Sequence, residues 1–441
     1  MKKRFSTLIA GITFILLTAG CSFYFIEEER KIAKPKKIEY VEYKGKVEHL
    51  FFHPLIAYPK RAFKGDSQSE QIDMWFNTVP EFNRIIESLY KKNFILVHIH
   101  DVYEEVEENG QKKIKRKKLM LPKGKKPIIL SIDDLSYYTS DQIKYGTNLK
   151  LVLHRGEIAT LSINDQGKKV IRRDNEIVPL LDDFVKKHPD FSYKGAKGTI
   201  NLTGFDGILG YRTNSKKFNE TTNRYDIENP HFLKERGAVK PIIKRLKETG
   251  WKFASHSYYH LPHNQISLEK LKEDSRLWKE EVESLIGPTD IYVFPQGFTF
   301  PYESVESPYI QHLYHMGFRY FQPVGHETYV EHLGKVIFQD RRHADGLGLR
   351  LQKKYFLDLF DADQVIDRQN RPAHVKYVEE ILEKQKKKQN QQTENNNSNE
   401  MNQTESGSTT SYHSRTPHSG VLFHSFMNQH KKTLHKQPIV M

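Results

Sequence analysis

Two short segments of the sequence concentrate side chains that can bind a metal ion or move a proton. PIILSIDD ends in two adjacent carboxylates, Asp133 and Asp134, and HSYYH carries two imidazoles, His256 and His260. Carboxylate oxygens and imidazole nitrogens can ligate a divalent ion, and both groups serve as general acids and bases. Neither segment is specific alone, because Asp pairs are common at turns and 21 histidines in 441 residues give about one HxxxH pair by chance. Their meaning depends on the elements that position them.

Both segments follow apolar runs that predict buried strands. The clearest runs are FILVHIHDV (94–102) and KPIILSIDD (126–134), and WKFAS leads directly into His256. Strands that alternate with helices indicate a parallel α/β fold, in which sites lie at the carboxyl ends of the strands. We therefore expect the two carboxylates and the two imidazoles to share one rim.

Three segments have the apolar spacing of helices that face a core. They are TVPEFNRIIESLYKKN, AVKPIIKRLKETG and the segment that begins after Ser267 and ends at Gly287. A third strand, DIYVFPQGF, follows the last of them, and its Pro295 and Gly297 fit a turn that exposes backbone N–H groups. This order places a helix between successive strand ends.

Composition limits the chemistry and the partners. Cys21 is the only cysteine, so disulfides, thiolate metal sites and a cysteine nucleophile are excluded from the rest of the chain. The net charge of +14 would suit an anionic cell envelope or membrane surface, but the favoured interpretation is a solvated lysine-rich surface. Nucleic acid is not an expected partner, and we expect a monomer.

The amino-terminal end of the chain predicts an exported protein, and the carboxyl-terminal end predicts a disordered tail. Residues 1–20 have the basic head and short apolar stretch of a signal peptide, and TAGC resembles the site at which bacterial lipoproteins are cut and acylated, here on Cys21. An ordinary cleaved signal or an uncleaved anchor are the alternatives. We expect a membrane-proximal spacer over 21–45, a catalytic domain over 46–385 and a disordered, low-complexity tail over 386–441. The predicted location is the outer face of the bacterial cell membrane.

The motifs SIDD, HSYYH and VFPQG resemble those of the polysaccharide deacetylases of the NodB-homology carbohydrate esterase type, and the resemblance covers residues 45–350. The resemblance implies a distorted (β/α) barrel with fewer than eight clean strands. It also implies that Asp134, His256 and His260 bind a divalent metal, zinc in our expectation, and that Asp133 is the general base. A metal site of this kind leaves positions open for water and a substrate carbonyl.

The same resemblance assigns the turn formed by Pro295, Gln296 and Gly297 to the oxyanion, with the backbone N–H of Gln296 as donor. The chain also departs from the family's motifs. Val293 stands where the family has an arginine that orients the base, and Arg212 or Arg342 could supply the guanidinium.

The final motif that carries the family's general acid is not evident. His343 in DRRHAD is the first candidate for that acid, and His326 in PVGHET is the second.

These observations predict a hydrolase that removes N-acetyl groups from an extracellular glycan containing N-acetylglucosamine, such as peptidoglycan or a secreted polysaccharide. Two alternatives stay open. One is a carbohydrate-binding or adhesion lipoprotein on the same fold with impaired catalysis, and the other is a metal-dependent O-acetyl esterase or an enzyme that cleaves another carbonyl bond.

Overall fold

The structure is a computed structural model that describes residues 38–297 and 305–402. The predicted signal peptide, Cys21 and most of the spacer lie outside these residues, as does 403–441 of the predicted tail. Residues 386–402, the first part of that tail, continue a helix that spans Lys376–Asn402. Within the described ranges, no helix has both the length and the hydropathy needed to cross a bilayer.

A ten-stranded, curled sheet forms the centre of the fold. It confirms the expected distorted barrel, although the sheet has more strands than the fewer than eight that the resemblance implied. Along the sheet the strands run in the order Val330–Leu333, Val336–Gln339, Tyr320–Gln322, Ile291–Val293, Lys252–Ser255, Thr199–Leu202, Lys126–Asp133, Glu48–Phe52 and Arg342–His343, and Phe94–Leu96 also pairs with Lys126–Asp133. All pairings are parallel except that between the first two strands. The carboxyl ends of the parallel strands therefore meet at one rim.

Short antiparallel sheets and helices surround the central sheet. The small sheets pair Tyr40–Glu42 with Met120–Pro122, Tyr103–Glu108 with Gln111–Arg116, Lys216–Asn219 with Arg224–Glu228, and Glu157–Ile163 with both Lys150–His154 and Lys169–Arg172. The α-helices are Pro59–Ala62, Ser67–Trp75, Val79–Lys91, Ile99–Val102, Ile177–Lys187, Phe232–Glu248, Leu268–Trp278, Ser284–Ile286, Pro308–His315, Gly346–Leu351, Ala362–Val365 and Lys376–Asn402. A π-helical turn, Lys279–Glu283, joins Leu268–Trp278 to Ser284–Ile286.

The three helices predicted from apolar spacing are confirmed. They occupy Val79–Lys91, Phe232–Glu248 and Leu268–Trp278, and their apolar stripes are buried. Ser267 caps the third helix by accepting a hydrogen bond from the backbone N–H of Lys270. Trp278 is fully buried and donates its indole N–H to the carbonyl of Leu202 (2.7 Å), which ties this helix to the sheet.

A buried arginine connects the C-terminal part of the fold to the helices Ser67–Trp75 and Val79–Lys91. Arg371 donates from Nε and Nη2 to both oxygens of Glu81 (2.6 and 2.8 Å), and from Nη1 to Asp73 (2.9 Å). The Asp73 and Glu81 side chains have no exposed surface. Asp73 lies on the helix Ser67–Trp75, which walls the cleft described below, so this ion cluster helps to position that wall.

Replacing Arg371 by Met should destabilise the fold by about 3–5 kcal/mol, because two buried carboxylates would lose their common cation. The measurement is the free energy of unfolding in urea. Arg368→Met is the matched control, since Arg368 pairs with Asp363 at the surface and should change stability by less than about 1 kcal/mol. Equal effects of the two substitutions would contradict the assignment.

Candidate active site

Asp133 and Asp134 both face one cleft, although neighbouring side chains of a strand normally point to opposite faces. The strand Lys126–Asp133 ends between them, and Asp134 has the left-handed backbone (φ 56°) that turns its side chain to the same side. Its N–H donates to the carbonyl of Asn201 (3.2 Å) in the neighbouring strand. The strained backbone is therefore what presents two adjacent carboxylates together.

The two histidines reach the same rim from the strand Lys252–Ser255, which is separated from Lys126–Asp133 by Thr199–Leu202. His256 directly follows Lys252–Ser255, and its Nδ1 lies 3.1 Å from the carbonyl oxygen of Val293. That contact fixes the ring, whose Nε2 is 4.0 Å from Asp134 and 3.8 Å from Asp133. His260 Nε2 is 3.6 Å from Asp134.

Asp134, His256 and His260 can hold a metal ion. Each offers one ligand atom, these atoms lie within 4.8 Å of one another, and all three residues are buried. Burial lowers the pKa of His256 to about 4, so the imidazole is in its neutral, ligating form at neutral pH. One carboxylate and two imidazoles form a donor set typical of zinc sites that keep positions open for other ligands.

The HSYYH loop is held from behind by two acidic side chains. Asp274 accepts hydrogen bonds from the backbone N–H groups of Tyr258 and Tyr259 (2.7 and 2.8 Å). Glu281, in the π-helical turn, accepts from the Tyr258 hydroxyl (2.5 Å). Since His260 has a left-handed backbone (φ 54°), these contacts stabilise a conformation that is unfavourable in isolation.

Asp133 is buried beside a guanidinium. Arg341 donates from Nη1 and Nη2 to its two oxygens (2.7 and 3.0 Å), and the amide of Asn201 donates to Oδ1 (2.6 Å). Burial opposes ionisation, but the charge and the hydrogen bonds of Arg341 outweigh it and hold the pKa of Asp133 well below its ordinary value. Burial raises the pKa of the neighbouring Asp134, which contacts no guanidinium in the described residues.

Arg341 therefore occupies the position for which Arg212 and Arg342 were the candidates, and both candidates are wrong for this contact. Arg212 pairs with Asp206 (2.9 Å), and Arg342 pairs with Glu48 and Asp358 (3.0 and 2.9 Å). Arg341 and Arg342 are adjacent in extended backbone, so their side chains point in opposite directions and only one can face the rim.

A polar chain lies behind Arg341. Its Nη1 donates to the hydroxyl of Ser131 (3.2 Å), which lies 3.0 Å from His49 Nε2, and His49 Nδ1 lies 3.2 Å from the side-chain oxygen of Gln339. Burial lowers the pKa of His49 to about 3, so its ring stays neutral beside the guanidinium. These polar contacts fix the Arg341 side chain without adding a second charge.

His343 lines the same cleft, as its candidate role requires. Its Nδ1 lies 2.9 and 3.0 Å from the two oxygens of Asp345, and both residues are buried. His326, the second candidate, stacks its ring on Tyr355 with centroids 4.5 Å apart. The carboxylate partner makes His343 the histidine that is oriented for proton transfer.

The turn Pro295–Gly297 closes another side of the cleft. Gln296 has a left-handed backbone (φ 55°), and its side-chain N–H lies 3.4 Å from the carbonyl oxygen of His260. Gln296 and Gly297 line the cleft, and aromatic side chains line the opposite part, namely Phe51, Trp75 and Phe76. The cleft thus combines a polar floor with an apolar wall.

Residues 193–321 match the model of the polysaccharide deacetylase family, and no curated protein matches the chain. Three solved structures are similar to it. One is the Streptococcus pyogenes deacetylase PplD in complex with acetate, with 11% identity and a TM-score of 0.35 over 68% of this chain and 93% of that one. Another is a candidate polysaccharide deacetylase, BA0330, from Bacillus anthracis, with 12% identity and a TM-score of 0.35 over 68% of this chain and 66% of that one. A candidate polysaccharide deacetylase from Mycobacterium smegmatis has 14% identity and a TM-score of 0.23 over 37% of this chain and 44% of that one. At these TM-scores the likenesses decide neither fold nor function.

Asp274→Ala should weaken zinc binding roughly 10- to 100-fold, because the loop that presents His260 would lose two backbone hydrogen bonds. Isothermal titration with zinc measures the effect. Glu273→Ala is the matched control, since Glu273 is exposed and pairs with Lys270. Unchanged zinc affinity in Asp274→Ala would show that the loop holds its shape without this carboxylate.

Proposed function

We propose that the chain is a member of the polysaccharide deacetylase family and acts as a metal-dependent hydrolase. It would remove N-acetyl groups from an extracellular glycan built on N-acetylglucosamine, such as peptidoglycan or a secreted polysaccharide. One observation carries the proposal. A metal-ligand triad, Asp134, His256 and His260, lies beside Asp133, an ionised carboxylate 3.8 Å from the His256 ring nitrogen. A metal site with an adjacent base is one arrangement that can hydrolyse an amide.

Asp134, His256 and His260 would hold the metal, and we propose zinc. The chemistry that a bound divalent ion supplies at such a site is polarisation of the acetamide carbonyl and acidification of water. The protein keeps His256 neutral and ring-oriented through Val293, so the ligand is preorganised.

Asp133 acts as the general base in this proposal. Its carboxylate is kept ionised by Arg341, so at neutral pH it is in the form that accepts a proton from the attacking water. The bidentate contact also fixes the direction of the carboxylate. Both features support Asp133 as base rather than metal ligand.

His343 acts as the general acid that protonates the leaving sugar amine. Asp345 accepts a hydrogen bond from Nδ1, which fixes the orientation of the ring. On the other side of the reacting carbonyl, the backbone N–H of Gln296 is the proposed oxyanion donor, a contribution typically worth a few kcal/mol.

The paired Asp133 and the His343–Asp345 pair disfavour the alternative of a binding protein with impaired catalysis, because sugar binding alone needs neither. An O-acetyl esterase would use the same residues, and the substrate test below separates it. We also propose export and attachment to the outer face of the cell membrane through a lipid on Cys21, on the strength of the sequence at the amino terminus.

Acetate release by the full chain from N-acetylglucosamine oligomers, from peptidoglycan and from an O-acetylated glycan, with and without chelator and added zinc, tests the function. We expect chelator-sensitive release from the N-acetylated substrates. Asp133→Asn should bind zinc normally and release acetate at least roughly 10²-fold more slowly, since it removes the base and not a ligand. If the protein binds metal but releases no acetate from any N-acetylated substrate, the proposal is wrong.

His343→Ala should lower kcat roughly 10²- to 10⁴-fold without loss of zinc, because the leaving amine would lose its proton donor. Kinetics and metal content of the same sample measure this. His326→Ala is the control and should retain the wild-type kcat. An unchanged kcat in His343→Ala would move the acid role to another residue or to water.

A further inference from the structure

A second groove adjoins the catalytic cleft and shares a wall with it. Tyr138 lines the cleft, donates its hydroxyl to Asp134 (2.6 Å) and packs its ring on Phe205 with centroids 4.8 Å apart. The second groove is lined by Phe205 and by Thr139, the residue that follows Tyr138. A polymer that leaves the metal site over Tyr138 would therefore reach this groove.

A β-hairpin, Lys216–Asn219 with Arg224–Glu228, forms the outer side of the groove. Its register shifts between Lys217 and Phe218, so that Phe218 lies opposite Tyr225 and Asp226 is passed over. A bulge re-aims the side chains that follow it, and here it brings two aromatic rings together with centroids 5.2 Å apart. Both rings are half-buried and line the groove.

The hairpin aromatics are joined to the metal-binding loop. The Tyr225 ring contacts Tyr259 of HSYYH (5.3 Å between centroids) and Phe205 (5.8 Å). These contacts give one aromatic surface that runs from the catalytic rim to the hairpin. Such a surface is preorganised, because the rings lose little further freedom when a ligand binds.

The opposite edge of the groove is polar and rigid. Asp206 accepts hydrogen bonds from the backbone N–H and the hydroxyl of Thr139 (2.9 and 3.2 Å) and pairs with Arg212 (2.9 Å). Arg212 also donates to the carbonyl of Tyr137 (2.7 Å). A ring-stacking face opposite fixed carboxylate and guanidinium groups suits a ligand with an apolar face and hydroxyl edges.

We propose that this groove binds a sugar ring of the same glycan chain, at a distance along the polymer from the sugar that is deacetylated. Phe218 and Tyr225 would carry the C–H face of the ring, and Asp206 and Arg212 would contact its hydroxyls. The inference rests on the proposed function and extends it, since it makes the enzyme selective for long chains over short ones. The occupant follows from the wall that the groove shares with the catalytic cleft, in which Tyr138 packs on Phe205.

The test compares acetate release by the full chain from a dimer and a hexamer of N-acetylglucosamine. Phe218→Leu keeps apolar bulk and removes the flat ring, so it should lower kcat/KM for the hexamer roughly threefold to tenfold and leave that for the dimer unchanged. Phe218→Tyr keeps the ring and should behave as wild type. Tyr329→Leu, at an exposed tyrosine elsewhere, is the control.

The proposed sugar site would be contradicted if Phe218→Leu lowered kcat/KM equally for dimer and hexamer. A wild-type kcat/KM for the hexamer in Phe218→Leu would contradict it as well. If the wild-type protein releases no acetate from any glycan, the proposed function fails separately, and calorimetric binding of the hexamer then decides. Weaker hexamer binding in Phe218→Leu than in Phe218→Tyr would still support the groove. Equal binding by the two variants, or no hexamer binding by the wild type, would overturn it.

Discussion

The buried ion pair between Asp133 and Arg341 is the interaction on which the chemistry of this fold depends. A buried carboxylate that has no cation beside it would take up a proton and cease to be a base. Two N–H groups of Arg341 and the amide of Asn201 prevent this. The guanidinium is positioned in turn by Ser131 and by a histidine, His49, that burial keeps neutral. The result is a charged group in a dry site whose charge and direction are both fixed.

The adjacent carboxylates Asp133 and Asp134 show how one local environment can give two roles. Both are buried, yet the pKa of Asp133 is lowered and that of Asp134 is raised, because only Asp133 has the guanidinium. The side chain of Asp134 is instead turned toward His256 and His260 by its left-handed backbone. In the proposed mechanism, neighbours rather than residue type separate the base from the metal ligand, as in other sites with paired carboxylates.

The sequence predicted the parts of the fold that repeat a simple period. Apolar runs located the strand Lys126–Asp133, 3.6-residue spacing located the helix Val79–Lys91, and strand ends located the Asp and His residues. The run FILVHIHDV misled, because only Phe94–Leu96 is a strand and the chain then turns into the helix Ile99–Val102. There, the side chain of Asp101 accepts from the backbone N–H of His98, a helix-start signal that the apolar run concealed.

The site residues that sequence reasoning missed have no periodic signal. Choosing Arg341 over Arg342 requires knowing which of two adjacent side chains faces inward, and that depends on strand register over long range. Glu281 sits in a π-helical turn, which rotates it away from the face that α-helical spacing assigns. Asp345 could have been found, since a carboxylate two residues after a histidine is a plausible partner.

The contact between Asp133 and Arg341 joins residues 208 positions apart in the chain. Closing so long a loop costs entropy that only the packed strands between the two residues offset, and contacts of this kind form slowly during folding. It follows that catalytic competence and the complete barrel arise in the same late step. In a partly folded chain that already presents the histidine loop, the Asp133 carboxylate has no guanidinium to fix its direction, so we expect full activity only once Arg341 has docked against it.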